Sequence, residues 1–245
     1  MGASVKVIIN PTWACQFYCP YCSIHAQGLE KDTRQLAARQ WGWWVHQLPV
    51  GSCVEISGGE PLLYAGLVRL LQMIVDSGCR WGLTTNAAHL PAVEALVAAK
   101  IPGAISLNVS VQPESPPDII ERALALKEAG YPVHLNRVEH PASPTLPDTH
   151  GLSVNHIPYQ AWLEGDAVDD KRRMCDAGAA HFAVDPAGRV YRCLVHLQLR
   201  RHVLGTVAQP IHTYALMGPE LCDTGCSACY TTEPRQWGIK MELAE

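Results

Sequence analysis

The sequence predicts an α/β fold in which six strand–helix units curl into a whole or partial barrel, followed by a small cysteine-rich β-hairpin module. Three observations predict it. Six short runs rich in Val, Ile and Leu are separated by stretches with helical periodicity, the pattern of βα units around a mainly parallel sheet. Each run ends in polar or small residues, as strands do where they open onto a barrel mouth. From about residue 165 the alternation stops, and five of the ten cysteines follow: Cys175, Cys193, Cys222, Cys226 and Cys229.

The first run, "VKVIIN" from Val5, ends at Asn10 and leads into a loop with three thiols. A helix is then expected over "DTRQLAARQWGWWVHQL", capped by Asp32 or Thr33, with Trp41, Trp43 and Trp44 as helix packing. "CVEIS" from Cys53 ends in "SGGE", Ser57 to Glu60, and precedes the helical "AGLVRLLQMIVDSG". "WGLTT" from Trp81 ends in Thr84 to Asn86 and precedes "PAVEALVAAK". "AISLNVSVQ" from Ala104 carries Ser110 and Gln112 at its end, before "PPDIIERALALKEAG" with prolines at its first turn and Gly130 at its stop. "PVHLNRV" from Pro132 carries Asn136, Arg137 and Glu139, and "GLSVNHIPY" from Gly151 carries Asn155, His156 and Tyr159. Right-handed crossovers bring these ends to one mouth. The charged "EGDAVDDKRR" marks a boundary near residue 168, giving a barrel over 1–167 and an appendage over 168–245. "HFAVDPAGRVYRC" in that appendage reads as two strands around "DPAG". Leu199 to His202 reads as a solvated face.

Composition narrows the function. The net charge is −4 with 17% charged residues and no basic block, which argues against nucleic acid as a partner. No apolar run is long enough to span a bilayer, and Lys6 stands where a myristoylation signal requires Ser or Thr. Ten cysteines without a secretion leader point to metal chemistry in a reducing cytoplasm rather than a disulfide scaffold. Cys53 and Cys79 lie in apolar elements and read as small core hydrophobes.

Cys15, Cys19 and Cys22 follow the first strand at CxxxCxxC spacing. A structural zinc needs a fourth ligand, for which His25 is the nearest candidate. An iron–sulfur cubane held by three thiolates instead leaves one iron open to a non-protein ligand. The loop resembles that of the radical S-adenosylmethionine (radical SAM) superfamily, with Tyr21 at the aromatic position before the last cysteine. "SGGEPLL" resembles the superfamily's GGE motif. The resemblance implies a partial (β/α)6 TIM-like barrel and a 4Fe-4S cluster on Cys15, Cys19 and Cys22. It implies that Gly58, Gly59 and Glu60 grip the amino end of SAM, with Thr85, Asn86, Asn108, Ser110 and Arg137 toward its ribose and carboxylate.

The tail, Cys175 and Cys193 around a hairpin with Gly188 and then "CDTGCSAC", resembles the SPASM/twitch extension of these enzymes. The full SPASM form has seven cysteines, and this tail has five. That implies one auxiliary 4Fe-4S cluster on Cys175, Cys193, Cys226 and Cys229, with Cys222 left as a replacement ligand, an idle thiol or a hydrogen donor. A structural zinc on four of the five is the alternative. The expected activity is hydrogen abstraction from a small polar, sugar- or aminocyclitol-like substrate, giving dehydrogenation or epimerisation, with His156 as a substrate contact. The chain begins almost at its first strand, which favours that substrate over a ribosomal peptide. Peptide modification, by thioether formation or epimerisation, is one alternative, and a noncatalytic metal-binding docking module is another. An electron donor such as flavodoxin or ferredoxin would be a partner.

Overall fold

The structure, a computed structural model, describes residues 4–146, 148–158, 174–175, 177–178, 180–213 and 220–221. All six expected strands form: β1 (Lys6–Ile9), β2 (Cys53–Ile56), β3 (Arg80–Thr85), β4 (Ala104–Ser110), β5 (Val133–Glu139) and β6 (Val154–Pro158). Each pairs in parallel with the next. Short strands β7 (Met174–Cys175), β8 (His181–Val184), β9 (Arg189–Tyr191), β10 (Val203–Thr206) and β11 (Glu220–Leu221) follow. The main sheet has nine strands in the order β10-β9-β8-β1-β2-β3-β4-β5-β6, and β11 and β7 form a separate antiparallel pair.

Strand geometry divides the sheet into two faces, because successive side chains point to opposite sides. Val7, Ile9, Val54, Ile56, Trp81, Leu83, Leu107, Val109 and Leu135 are buried on the face that packs against the helices. These helices are α2 (Ala38–Val45), α3 (Leu67–Asp76), α4 (Leu90–Ala99) and α5 (Ile119–Glu128), which follow the short α1 (Ser23–Ala26). The alternate residues form a polar inner face. Asn155 Nδ2 donates to Asn136 Oδ1 at 3.0 Å and to Asn108 Oδ1 at 3.3 Å across three neighbouring strands. Glu55 lies over Gly82 of β3, where a Cβ would meet its Oε2 at 2.1 Å.

Two helical details differ from the sequence reading. The helix α2 starts at Ala38, not after Asp32 or Thr33. The Asp32 carboxylate is taken by Arg34 Nη2 at 2.6 Å and Arg189 Nη2 at 3.2 Å, so it does not cap. Trp41 and Trp44 are fully buried as expected, whereas Trp43, on the opposite side of the helical turn, is half exposed.

The hairpin also forms: β8 and β9 turn through Asp185 to Gly188, and Gly188 takes φ +81°, a conformation suited to glycine. Strand β8 runs parallel to β1, with Lys6 opposite His181 and Ile9 opposite Val184, so the hairpin continues the barrel sheet. The boundary expected near residue 168 falls in 159–173, outside the described residues. Helix α6 (Leu194–Gln198) and strand β10 follow the hairpin, and neither was expected. Asp185 is buried and accepts from Arg189 Nε at 2.6 Å, Arg189 N at 2.9 Å and Tyr191 Oη at 3.2 Å. Asp185→Ala strands these donors and is expected to cost about 2 kcal/mol, read as a lower denaturant midpoint at unchanged slope. An unchanged midpoint would mean that the hairpin is held by its strand pairing alone.

Candidate cluster and cofactor site

The loop after β1 is fixed where it crosses the end of β2. Gly59 N donates to Thr12 O at 3.0 Å, and Glu60 N donates to Ala14 O at 2.7 Å. The approach is so close that a Cβ on Gly59 would lie 2.3 Å from Ala14 O, and one on Gly58 would lie 2.6 Å from Thr12 O. Gly58 also has φ +121°. Both glycines are therefore required by the neighbouring backbone, before any ligand is considered.

Beyond this crossing, Cys15, Cys19 and Cys22 line one cavity of about 230 Å³ together with Tyr21, Gly58, Gly59, Glu60, Thr84, Thr85, Asn86 and Ser110. Cys15 Sγ accepts from Phe17 N at 3.5 Å and from Asn86 Nδ2 at 3.8 Å. Cys19 Sγ lies against Gln112 Oε1 and 3.7 Å from Glu114 Oε2. Burial pushes the Cys15 and Cys22 thiols up, and burial with the Glu114 charge pushes Cys19 up to about 12. The metal-free thiols are thus protonated at neutral pH, and metal uptake must release those protons.

The donor set suits a cluster better than a zinc knuckle. His25 Nε2 lies 2.9 Å from Phe17 O, its Nδ1 is 3.7 Å from Glu30, and its ring stacks on Tyr18. Among the described residues, no three His, Cys, Asp or Glu side chains converge on a single-ion site. Three soft thiolates around the rim of one cavity, beside a buried carboxylate, fit a multi-iron group with a ligand next to it.

Glu60 is that carboxylate. Its Oε1 accepts from Leu62 N at 2.9 Å and Thr85 Oγ1 at 2.6 Å, and its Oε2 accepts from Asn86 N at 2.6 Å. Burial pushes it up to about 7, against the pull of these donors. Asn86 Oδ1 in turn accepts from Gln16 Nε2 at 3.0 Å, which ties the end of β3 to the thiol loop.

Two expected cofactor contacts lie away from the cavity. Asn108 sits one layer deeper than Ser110 on the inner face, bonded to Asn155. Arg137 lies between Asn136 and Val138 in β5 and points to the other face, where its Nε donates to Pro144 O at 3.0 Å. Val138 lines the cavity instead, with Ser57, Gln112 and Ile157. Gln112 stood out in sequence as a strand-end polar residue, whereas the apolar Val138 and Ile157 gave no signal. His156 is exposed at the sheet edge, with Nδ1 4.0 Å from Glu139. Cys53 and Cys79 are buried, as expected of core thiols.

The auxiliary cysteines are only partly in view. Cys193 is the half-buried residue preceding α6. Ala177, two residues after Cys175, bridges to His181, and its carbonyl accepts from Arg192 Nε at 2.8 Å. The chain segments carrying Cys175 and Cys193 are therefore neighbours. Cys222, Cys226 and Cys229 lie outside the described residues.

The fold and the three-thiol site define a class, and comparison with known proteins agrees. Residues 9–140 match the model of the radical SAM superfamily. The chain belongs to the radical SAM superfamily. Membership implies a 4Fe-4S cluster and S-adenosylmethionine as the cofactors of this site. A PqqA peptide cyclase of Bradyrhizobium diazoefficiens is 29% identical over 132 residues, which is 53% of this chain and 33% of that protein. The chain thus spans about a third of the length of this curated relative. Streptococcus suis SuiB bound to S-adenosylmethionine is similar in fold, with TM-score 0.61, 14% identity, and coverage of 86% of this chain and 64% of that one. BtrN in complex with AdoMet and 2-DOIA gives TM-score 0.57 at 12% identity, covering 88% of this chain and 83% of that one. Among the described residues, no helix is long and apolar enough to cross a membrane.

Proposed function

We propose that the protein is a radical SAM enzyme that modifies a peptide. The observation that carries the chemistry is the shared cavity: three thiols on one wall, and the Glu60 carboxylate with the ends of β2 and β3 on another. When bound there, the cluster and SAM together supply a 5′-deoxyadenosyl radical by one-electron cleavage of a sulfonium carbon–sulfur bond.

The chain's own residues bind and orient. An ionised carboxylate offers about four lone-pair positions. Glu60 uses three of them on Leu62, Thr85 and Asn86, which leaves one for the ammonium of SAM. Thr85 and Asn86 therefore aim the carboxylate, and Gly58 and Gly59 hold it beside the thiols. Phe17, Ile24, Val138 and Ile157 keep water from the remaining walls. Because Glu60 ionises only near pH 7 without ligand, SAM affinity is expected to rise as pH increases from 6 to 8. In Glu60→Gln that rise should vanish, with affinity about tenfold or more lower at pH 8. Isothermal titration at several pH values measures both. A wild-type affinity flat in pH would remove Glu60 from the ammonium contact.

The substrate reading moves from the small polar molecule expected from sequence to a peptide. Two relatives that share sequence are named PqqA peptide cyclases, at 29% and 31% identity. The likeness to BtrN, at 12% identity, is one of fold alone. For the tail we retain one auxiliary 4Fe-4S cluster on Cys175, Cys193, Cys226 and Cys229, supported by the adjacency of the first two segments. Flavodoxin or ferredoxin remains the proposed electron donor. Incubating the reduced holoprotein with SAM and short peptides encoded beside its gene tests the reading. Loss of two hydrogens by a peptide, or epimerisation of one of its residues, is the expected result. Turnover of an aminocyclitol with every peptide unchanged would restore the small-substrate reading.

A further inference from the structure

Among the described residues strand β6 ends the sheet, and its Ile157 side chain lines the cavity. In a parallel ladder a strand bonds its neighbour through alternate residues. Here Leu135 stands opposite Val154, and Leu135 N donates to Ser153 O at 2.9 Å. The ladder to β5 therefore runs through Ser153, Asn155 and Ile157, and the amide and carbonyl groups of Val154 and His156 point away from the sheet. Among the described residues these groups have no backbone partner. The strand carries little to blunt its edge until Pro158, which lacks an N–H. Ile157 faces inward and lines the cavity beside Val138.

Resting on the peptide reading above, we propose that the substrate peptide docks as an added strand along the outer edge of β6, pairing with the backbone of Val154 and His156. Ile157, next to His156 in the same strand, lines the reaction cavity, so a chain laid along this edge runs beside the mouth. Recognition through main-chain groups supplies register and affinity without demanding a particular side chain at each position. A small polar molecule has no such row of amides to offer, which is why the edge favours an extended peptide.

The test uses random linear peptides displayed on their own messenger RNA and selected against the holoprotein. The best binder is then remade with single N-methyl groups along its length, and affinities are measured for wild type, His156→Pro and His156→Ala. Expected is a loss of about tenfold for methylation at alternate residues only, and a similar loss for His156→Pro. His156→Ala, which keeps the amide, should bind like wild type, and bound iron should match in all three proteins. Equal binding by His156→Pro and His156→Ala, with the peptide still modified, overturns the edge while leaving the peptide reading intact. Absence of any selected binder overturns both. A dimer that His156→Pro dissolves would assign the edge to a second copy of the chain and likewise overturn the proposal.

Discussion

Exchanging Cys15, Cys19 and Cys22 together for alanine is expected to reduce SAM cleavage to the uncatalysed background. All three thiols line the same cavity, and the exchange removes every thiol of the described residues that lines it. Their raised proton affinity makes each a poor ligand until a metal displaces the proton, so a partial set holds a cluster weakly. The triple exchange separates the two proposed centres. Bound iron should fall by about half, because four-iron clusters are proposed both here and in the tail. Quantifying 5′-deoxyadenosine and iron in the same sample checks both parts. Cleavage above background in the triple variant would move the site elsewhere, and complete loss of iron would mean that the tail holds no auxiliary cluster.

Gly59→Ala is expected to be nearly as damaging, although it removes no ligand. The new methyl group would lie 2.3 Å from Ala14 O and 2.4 Å from Trp13 O, where both neighbours are backbone and cannot rotate away. The thiol loop must shift, which costs about 1–3 kcal/mol or more. Because Cys15 directly follows Ala14, the shift also moves a ligand. Iron retention should drop severalfold after gel filtration, and the thermal midpoint of the metal-free protein should fall by about 3–8 °C. Full iron retention would show that the loop has more freedom than its hydrogen bonds to Gly59 and Glu60 suggest.

Much of this site could be read from the residues, for identifiable reasons. The strands were legible because one face packs against helices, so Val7, Ile9, Val54, Ile56, Leu83 and Leu107 recur with period two. The thiol loop and "SGGE" were legible because spacing and residue type are themselves the chemistry. What escaped was set by tertiary contacts. Asp32 has every local feature of a cap, yet Arg189, far along the chain, helps to claim it. Arg137 and Val138 exchange roles because strand ends that look polar in sequence still alternate between faces. Helix α6, of five residues, is too short to show periodicity, and β10 gains its partner only from the hairpin. The resemblance assigns Gly58 and Gly59 to SAM, whereas the close approach that the structure shows at both is to the backbone of the thiol loop, which residue type alone does not reveal. The substrate left no side-chain code, as expected if recognition runs through the backbone of an edge strand.

The proposed chemistry rests on a cluster held by Cys15, Cys19 and Cys22 beside a SAM site organised by Glu60. Its most direct test is anaerobic reconstitution with iron and sulfide, followed by reduction, addition of SAM and chromatography of the products. The expected products are 5′-deoxyadenosine and methionine in equal amounts. A protein with its full complement of iron that leaves SAM intact, or a loop that retains zinc in place of iron, would contradict it.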